Sequence, residues 1–221
     1  MTSRALYLRL PLQWKGWHLW LILLAGECLM TLYLQSQIIT REVYHSLLDE
    51  QLDVQRIDDL FDMYKRMYIW GYAFMPLFTW LRIVFIALLL QMPLVLRFID
   101  IPFRTLFRIV ALASILMLVM QLGRIIHLGG IPEAAITARH LAYVPLSLTN
   151  ILPLADQSSP AYAFFSHFNL FEMGWLFILY RGLVETGKVK KFDSFLVVLV
   201  MWTVILALQW ALMLYFSKMS G

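Results

Sequence analysis

The chain has 221 residues, of which 61% are hydrophobic and only 14% are charged, and its mean hydropathy is +0.73. Soluble domains contain about 25% charged residues, so this composition excludes a soluble globular domain and predicts an all-α polytopic membrane helix bundle. The net charge of +4 does not indicate a nucleic-acid partner, because membrane proteins concentrate basic residues in their cytoplasmic loops. We expect the lipid bilayer to be a partner and nucleic acid not to be one.

Five apolar runs are long enough to cross a bilayer, which takes about 20 residues of α-helix. They cover residues 17–39, 69–96, 106–127, 168–187 and 194–216. Basic residues are concentrated in the N-terminal segment, which includes Arg4 and Arg9, and in the links 97–105 and 181–193. The positive-inside rule therefore predicts a cytoplasmic N-terminus and a C-terminus outside.

The first two spans each carry one charged residue near the middle, Glu27 in the first and Arg82 in the second. A central arginine costs roughly 2.5–3.5 kcal/mol on insertion scales, and an unpaired carboxylate is also unfavourable without water. We therefore predict an intramembrane charge pair between Glu27 and Arg82. The pair either sets the register of two helices or serves as a proton or substrate site, unless Arg82 snorkels towards an interface.

Two longer segments are expected on the outer side. Segment 40–67 contains seven carboxylates against four Lys and Arg residues, and its apolar residues recur at three- and four-residue steps. This spacing predicts an amphipathic helix that continues into the second span. Segment 128–167 is too apolar for a free loop and too rich in Gly and Pro for a span. We predict interfacial or re-entrant helices there, together with any cavity, because irregular backbone at membrane depth must be buried or hydrated.

Three polar residues are candidates for lining such a cavity: Glu172, Arg124 and Asn169. Glu172 lies near the start of the fourth span, where an acidic side chain is electrostatically favourable. It is also placed to meet Arg124 or Arg139 if it faces an outer cavity.

Histidines on the expected outer side are the candidate metal ligands, namely His127, His140 and His167. None of them has the close spacing that places two ligands on one face of a helix, so we expect no metal and no cofactor. The chain also lacks a phosphate-binding glycine loop and a nucleophile elbow. We therefore expect no catalytic residue and no enzymatic activity.

The fourth span contains Phe168-Asn169-Leu170-Phe171-Glu172-Met173-Gly174-Trp175, followed by Leu179, Gly182, Leu183, a basic turn and a long final span. Together with Phe103-Arg104-Thr105-Leu106-Phe107-Arg108-Ile109-Val110-Ala111-Leu112-Ala113-Ser114, this pattern resembles the carboxyl half of Yip1-family membrane proteins, over roughly residues 75–216. The resemblance implies five spans and no catalytic centre. It also implies a role like that of bacterial relatives, some of which accompany ABC-type exporters as accessory subunits.

These observations predict a non-enzymatic accessory or scaffold protein of the bacterial inner membrane. Its expected partners are other integral membrane proteins in an exporter or secretion complex. The alternative is a small transporter or channel that uses the intramembrane charges Glu27 and Arg82. A membrane enzyme that uses the outer histidines is a third hypothesis.

Overall fold

The structure is a computed structural model that describes residues 15–48, 52–152 and 160–219. Arg4 and Arg9 lie outside this part of the chain, as do residues 49–51 and 153–159 of the two outer segments. Within it, the α-helices are α1 (Gly16–Tyr33), α2 (Arg41–Leu48), α3 (Val54–Leu96), α4 (Phe103–Gly129), α5 (Ala138–Leu141), α6 (Pro160–Ser166), α7 (Leu170–Glu185) and α8 (Lys191–Met219). A π-helical turn, Leu34–Ile38, extends α1. No described residue belongs to a β-strand.

Four helical segments in the described part are long and apolar enough to cross a membrane: Gly16–Ile38, Val54–Leu96, Phe103–Gly129 and Lys191–Tyr215. The prediction of an all-α protein is thereby confirmed for the described residues, together with helices long and apolar enough to cross a membrane. The expected fourth span corresponds to α7, which has only 16 residues. A helix of that length is about 24 Å long, less than the roughly 30 Å of a hydrocarbon core. The count of five spans therefore stays a prediction.

Several helices start or finish together at what we call the basic end, formed by residues 15–16, 97–108 and 186–193. Gly16 at the start of α1 lies beside Arg108 near the start of α4. Arg97, just after α3, forms an ion pair with Asp193 in the first turn of α8. Lys188, just after α7, donates a hydrogen bond to a backbone carbonyl in the α3–α4 link. The described parts of the three basic segments are thus gathered at one end of the bundle.

Helix α4 is the centre of the bundle and packs against α1, α3 and α7. It is apolar around most of its circumference, as expected for a helix enclosed by other helices. The buried core extends from the basic end towards the middle of the bundle. Its fully enclosed side chains include Leu19, Leu23, Leu90, Leu94, Leu106, Ile109, Leu179 and Leu183.

The two outer segments pack together at the opposite end. Helix α2 contacts α3 and the short 3₁₀-helix Glu133–Ala135. Val43 and Ile136 are buried in a second, smaller apolar cluster there, and Thr40 Oγ1 donates a 2.6 Å hydrogen bond to Glu133. Helix α3 runs without a break from the acidic segment into the second predicted span. The membrane depth of the segment around 128–167 stays a prediction.

The contact between α4 and α7 depends on a glycine. A Cβ atom at Gly182 would lie 2.5 Å from Cγ2 of Ile109, whose side chain is fully buried. We expect Gly182→Leu to lower the free energy of unfolding by about 1–3 kcal/mol, the usual cost of overpacking. Thermal unfolding of the purified protein in mild detergent measures this effect. Gly71→Leu is the matched control, because a Cβ at Gly71 meets nothing within 4 Å; equal melting temperatures for both variants would contradict this packing.

Candidate functional site

The structure brings Glu27 of α1 and Arg82 of α3 together. Arg82 donates a hydrogen bond to one carboxylate oxygen of Glu27, and Thr79 Oγ1 donates one of 2.5 Å to the other. The side chain of Glu27 is 12% exposed, whereas that of Arg82 is 44% exposed. The carboxylate is therefore enclosed by the protein, while the guanidinium group remains open on one side.

Glu172 forms a second polar centre where α7 begins. The side-chain oxygen of Asn169 accepts a 2.8 Å hydrogen bond from the backbone N–H of Glu172 and so caps α7. The carboxylate accepts a 2.9 Å hydrogen bond from the indole N–H of Trp202 in α8, and its other oxygen lies 3.1 Å from Nδ1 of His167. Each oxygen of the Glu172 carboxylate therefore has a polar neighbour within the bundle.

A cavity of about 270 Å³, which we call the central cavity, separates the two polar centres. Arg82 lines it from α3 and Glu172 from α7. Its other polar lining residues are Ser114, Ser166, His167, Asn169, Trp202 and Gln209. The two acidic residues therefore lie on either side of Arg82, one paired with it and one across the cavity.

The depth of the central cavity follows from helix geometry. At a rise of 1.5 Å per residue, Glu27, Arg82 and Glu172 lie about 16–21 Å along their helices from the basic end. A bilayer whose hydrocarbon core is about 30 Å thick and begins near that end has its middle at about this depth. The site is thus a group of charged and hydrogen-bonding side chains placed near the middle of the expected membrane.

Two of the three predicted cavity residues, Glu172 and Asn169, line the central cavity, and Arg124 does not. Arg124 instead donates a hydrogen bond to the backbone carbonyl of Leu141, near the outer end of α4. The expectation that Glu172 meets Arg124 or Arg139 is corrected accordingly. The physical reason is that α7 begins beside α8, so that Trp202 and the neighbouring His167 satisfy the carboxylate.

The candidate metal ligands are not brought together. His127 stacks on Tyr143, with ring centroids 4.0 Å apart, and Nδ1 of His140 accepts a hydrogen bond from the backbone N–H of Thr137. His167 lies beside Glu172. Across residues 15–48, 52–152 and 160–219, no group of three or more His, Cys, Asp or Glu residues is placed to hold a metal ion.

Sequence reasoning missed two of the groups that complete the site. Thr79 and Trp202 both donate hydrogen bonds to its carboxylates. Trp202 had a recognisable signal, because tryptophan concentrates at membrane interfaces and this one lies in the interior of a predicted span. Thr79 had no comparable signal, since a single threonine is common in a transmembrane helix.

The two members of the charge pair should respond differently to neutralisation. We expect Arg82→Gln to lower the free energy of unfolding by about 3–5 kcal/mol, because it leaves the enclosed carboxylate of Glu27 without a counter-charge. Glu27→Gln should cost less, because the side-chain oxygen of glutamine can still accept a hydrogen bond from Arg82. The double variant should be more stable than Arg82→Gln alone. Reversible denaturation in mixed micelles measures all three variants, and additive losses would rule out a coupled pair.

Comparison of the chain with protein-family models, with curated proteins and with solved structures found no match. The resemblance to the Yip1 family therefore remains a prediction from short sequence patterns.

Proposed function

We propose that the protein is a non-enzymatic accessory or scaffold subunit of a larger membrane complex for transport or secretion. Its central cavity receives a polar side chain from a transmembrane helix of a partner protein. The observation that supports this proposal best is the half-exposed Arg82, which lies near the expected middle of the membrane on the wall of an open cavity.

A guanidinium group in that position requires a polar neighbour. Exposure to lipid at the centre of a helix costs roughly 2.5–3.5 kcal/mol on insertion scales. Glu27 satisfies only one side of Arg82, since 44% of the arginine side chain stays exposed. A partner helix with an acceptor such as Asn, Gln or a carboxylate would cover the remainder, and such groups are known to hydrogen-bond between membrane helices.

The packing between the central cavity and the basic end favours this proposal over a channel. Between the central cavity and the basic end lies the apolar core, in which Leu23, Leu90 and Ile109 have no exposed surface. These side chains belong to one buried apolar cluster, which offers no polar group among the described residues to stabilise an ion or a water chain. A solute that entered the central cavity would therefore have no polar route onwards in this conformation.

We also propose that α7 crosses the membrane as a fifth span, with the N-terminus in the cytoplasm and the C-terminus outside. Two observations support this topology. The residues after α7 lie at the basic end, and its start is joined to the outer segment by an antiparallel bridge between Ser147 and Asn169. Part of segment 128–167 would then lie within the outer half of the membrane and make up the length that α7 lacks.

Cysteine labelling tests this topology, since Cys28 is the only cysteine in the chain. In a Cys28→Ala background, Arg139→Cys should react with a membrane-impermeant maleimide in right-side-out spheroplasts. Lys190→Cys should react only after permeabilisation. Both positions are exposed on the protein surface. Labelling of both cysteines from the same side would show that α7 does not cross.

Photocrosslinking tests the partner proposal. A photoreactive amino acid in place of Ile205, which lines the central cavity, should give one discrete adduct with an integral membrane protein in native membranes. The same amino acid in place of Val200, which is exposed on another face of α8, should not give that adduct. The adduct should disappear in the double variant Glu27→Gln/Arg82→Gln, which leaves no unpaired charge. An adduct that persists in the double variant would contradict recognition through Arg82.

A proton-coupled transporter is the second candidate, favoured by one observation. The titratable pair His167 and Glu172 lines the same cavity as Arg82. Under this alternative, vesicles containing the protein would show proton flux that is lost in the same double variant, and position 205 would give no adduct. Under our proposal, vesicles that contain the protein are no more permeable to protons than vesicles without protein.

A further inference from the structure

A second cavity, of about 720 Å³, lies at the basic end between α1, α3 and α4. We call it the basic cavity. Its wall carries three cationic side chains, those of Lys15, Arg104 and Arg108. None of the described Asp and Glu residues lines it, so the basic cavity concentrates positive charge.

The three cations have no counter-charge within the described part of the chain. None of them takes part in any of its salt bridges. The residues that precede Lys15 include Arg4 and Arg9 but no Asp or Glu. By charge, that segment is therefore not suited to neutralise the basic cavity.

Hydrogen-bond donors also converge on the basic cavity. Helices α1 and α4 both begin at it, and neither has a side-chain cap or an acidic residue in its first turn. Their first backbone N–H groups and the positive ends of their dipoles favour an anion. The wall thus offers donors and positive charge, as a phosphate group requires.

The rest of the wall is aromatic, which distinguishes a lipid from a soluble anion. It consists of Trp17, Trp20, Trp80, Phe103 and Phe107. Trp17 and Trp20 lie near the start of α1, and tryptophan rings favour the boundary between headgroups and acyl chains. Trp80 is only two residues from Arg82 and lies deeper in the bundle. Basic pockets between transmembrane helices on the cytoplasmic side are suited to anionic headgroups. We propose that the basic cavity binds an anionic phospholipid, with its phosphate against the three cations and the start of its acyl chains against the aromatic rings.

Native mass spectrometry of the full chain tests this proposal. The protein is purified in mild detergent and titrated with phosphatidylglycerol, and the fraction that retains lipid is compared with that for phosphatidylcholine. We expect wild type to retain phosphatidylglycerol preferentially. The double variant Arg104→Gln/Arg108→Gln should lower this retention by about tenfold or more, because two of the three phosphate-binding cations are lost.

Matched variants distinguish lipid retention by the basic cavity from a general effect of removing positive charge. Arg56→Gln/Lys65→Gln removes the same charge from the opposite end of the bundle and should leave retention unchanged. Arg104→Lys/Arg108→Lys keeps both charges and should restore most of it. Melting temperatures of all variants show whether each is folded. Equal loss in the two Gln variants, no preference for phosphatidylglycerol in wild type, or displacement of the lipid by millimolar inorganic phosphate would each overturn the proposal.

Discussion

The arrangement of the bundle depends on one constraint: polar groups near the middle of a membrane need partners within the protein. Arg82 supplies the counter-charge of the enclosed Glu27 carboxylate between α1 and α3, and one side of its own guanidinium group stays open. Glu172 is satisfied by His167 and by Trp202 of α8. Each of these contacts fixes the relative height of two helices, since sliding one helix by a turn would leave a charged or hydrogen-bonding group facing lipid. Apolar contacts among leucines and isoleucines provide most of the buried area but do not select a register as strictly.

This constraint also explains why part of the site could be predicted from the sequence. The first span contains one carboxylate and the second contains one arginine, so charge compensation allowed few other pairings. Glu172 had more potential partners, among them two arginines and several histidines, and charge alone selected the wrong ones. Its actual neutral partner, Trp202, is determined by how α7 packs against α8, and no local pattern encodes that packing.

The fold, like the site, could be predicted only in part from the sequence. Apolar runs predicted the long helices, and the helical spacing of apolar residues before Tyr68 predicted that α3 begins well ahead of its membrane segment. The segment between α4 and α7 was predicted to contain interfacial or re-entrant helices, but their positions were not predicted. Its short helices and the bridge from Ser147 to Asn169 are held by contacts with residues distant in sequence, so intrinsic propensity does not determine them.

The short length of α7 has a consequence for the biogenesis of the protein. A segment of 16 residues with a carboxylate in its first turn is a weak signal for independent insertion into the bilayer. Its carboxylate is shielded only once α8, which is synthesised later, supplies Trp202. If α7 crosses the membrane as proposed, it would enter together with α8 as a helical hairpin that packs against α4. The wall of the central cavity that Trp202 and Ile205 form would then be completed only after α8 has inserted.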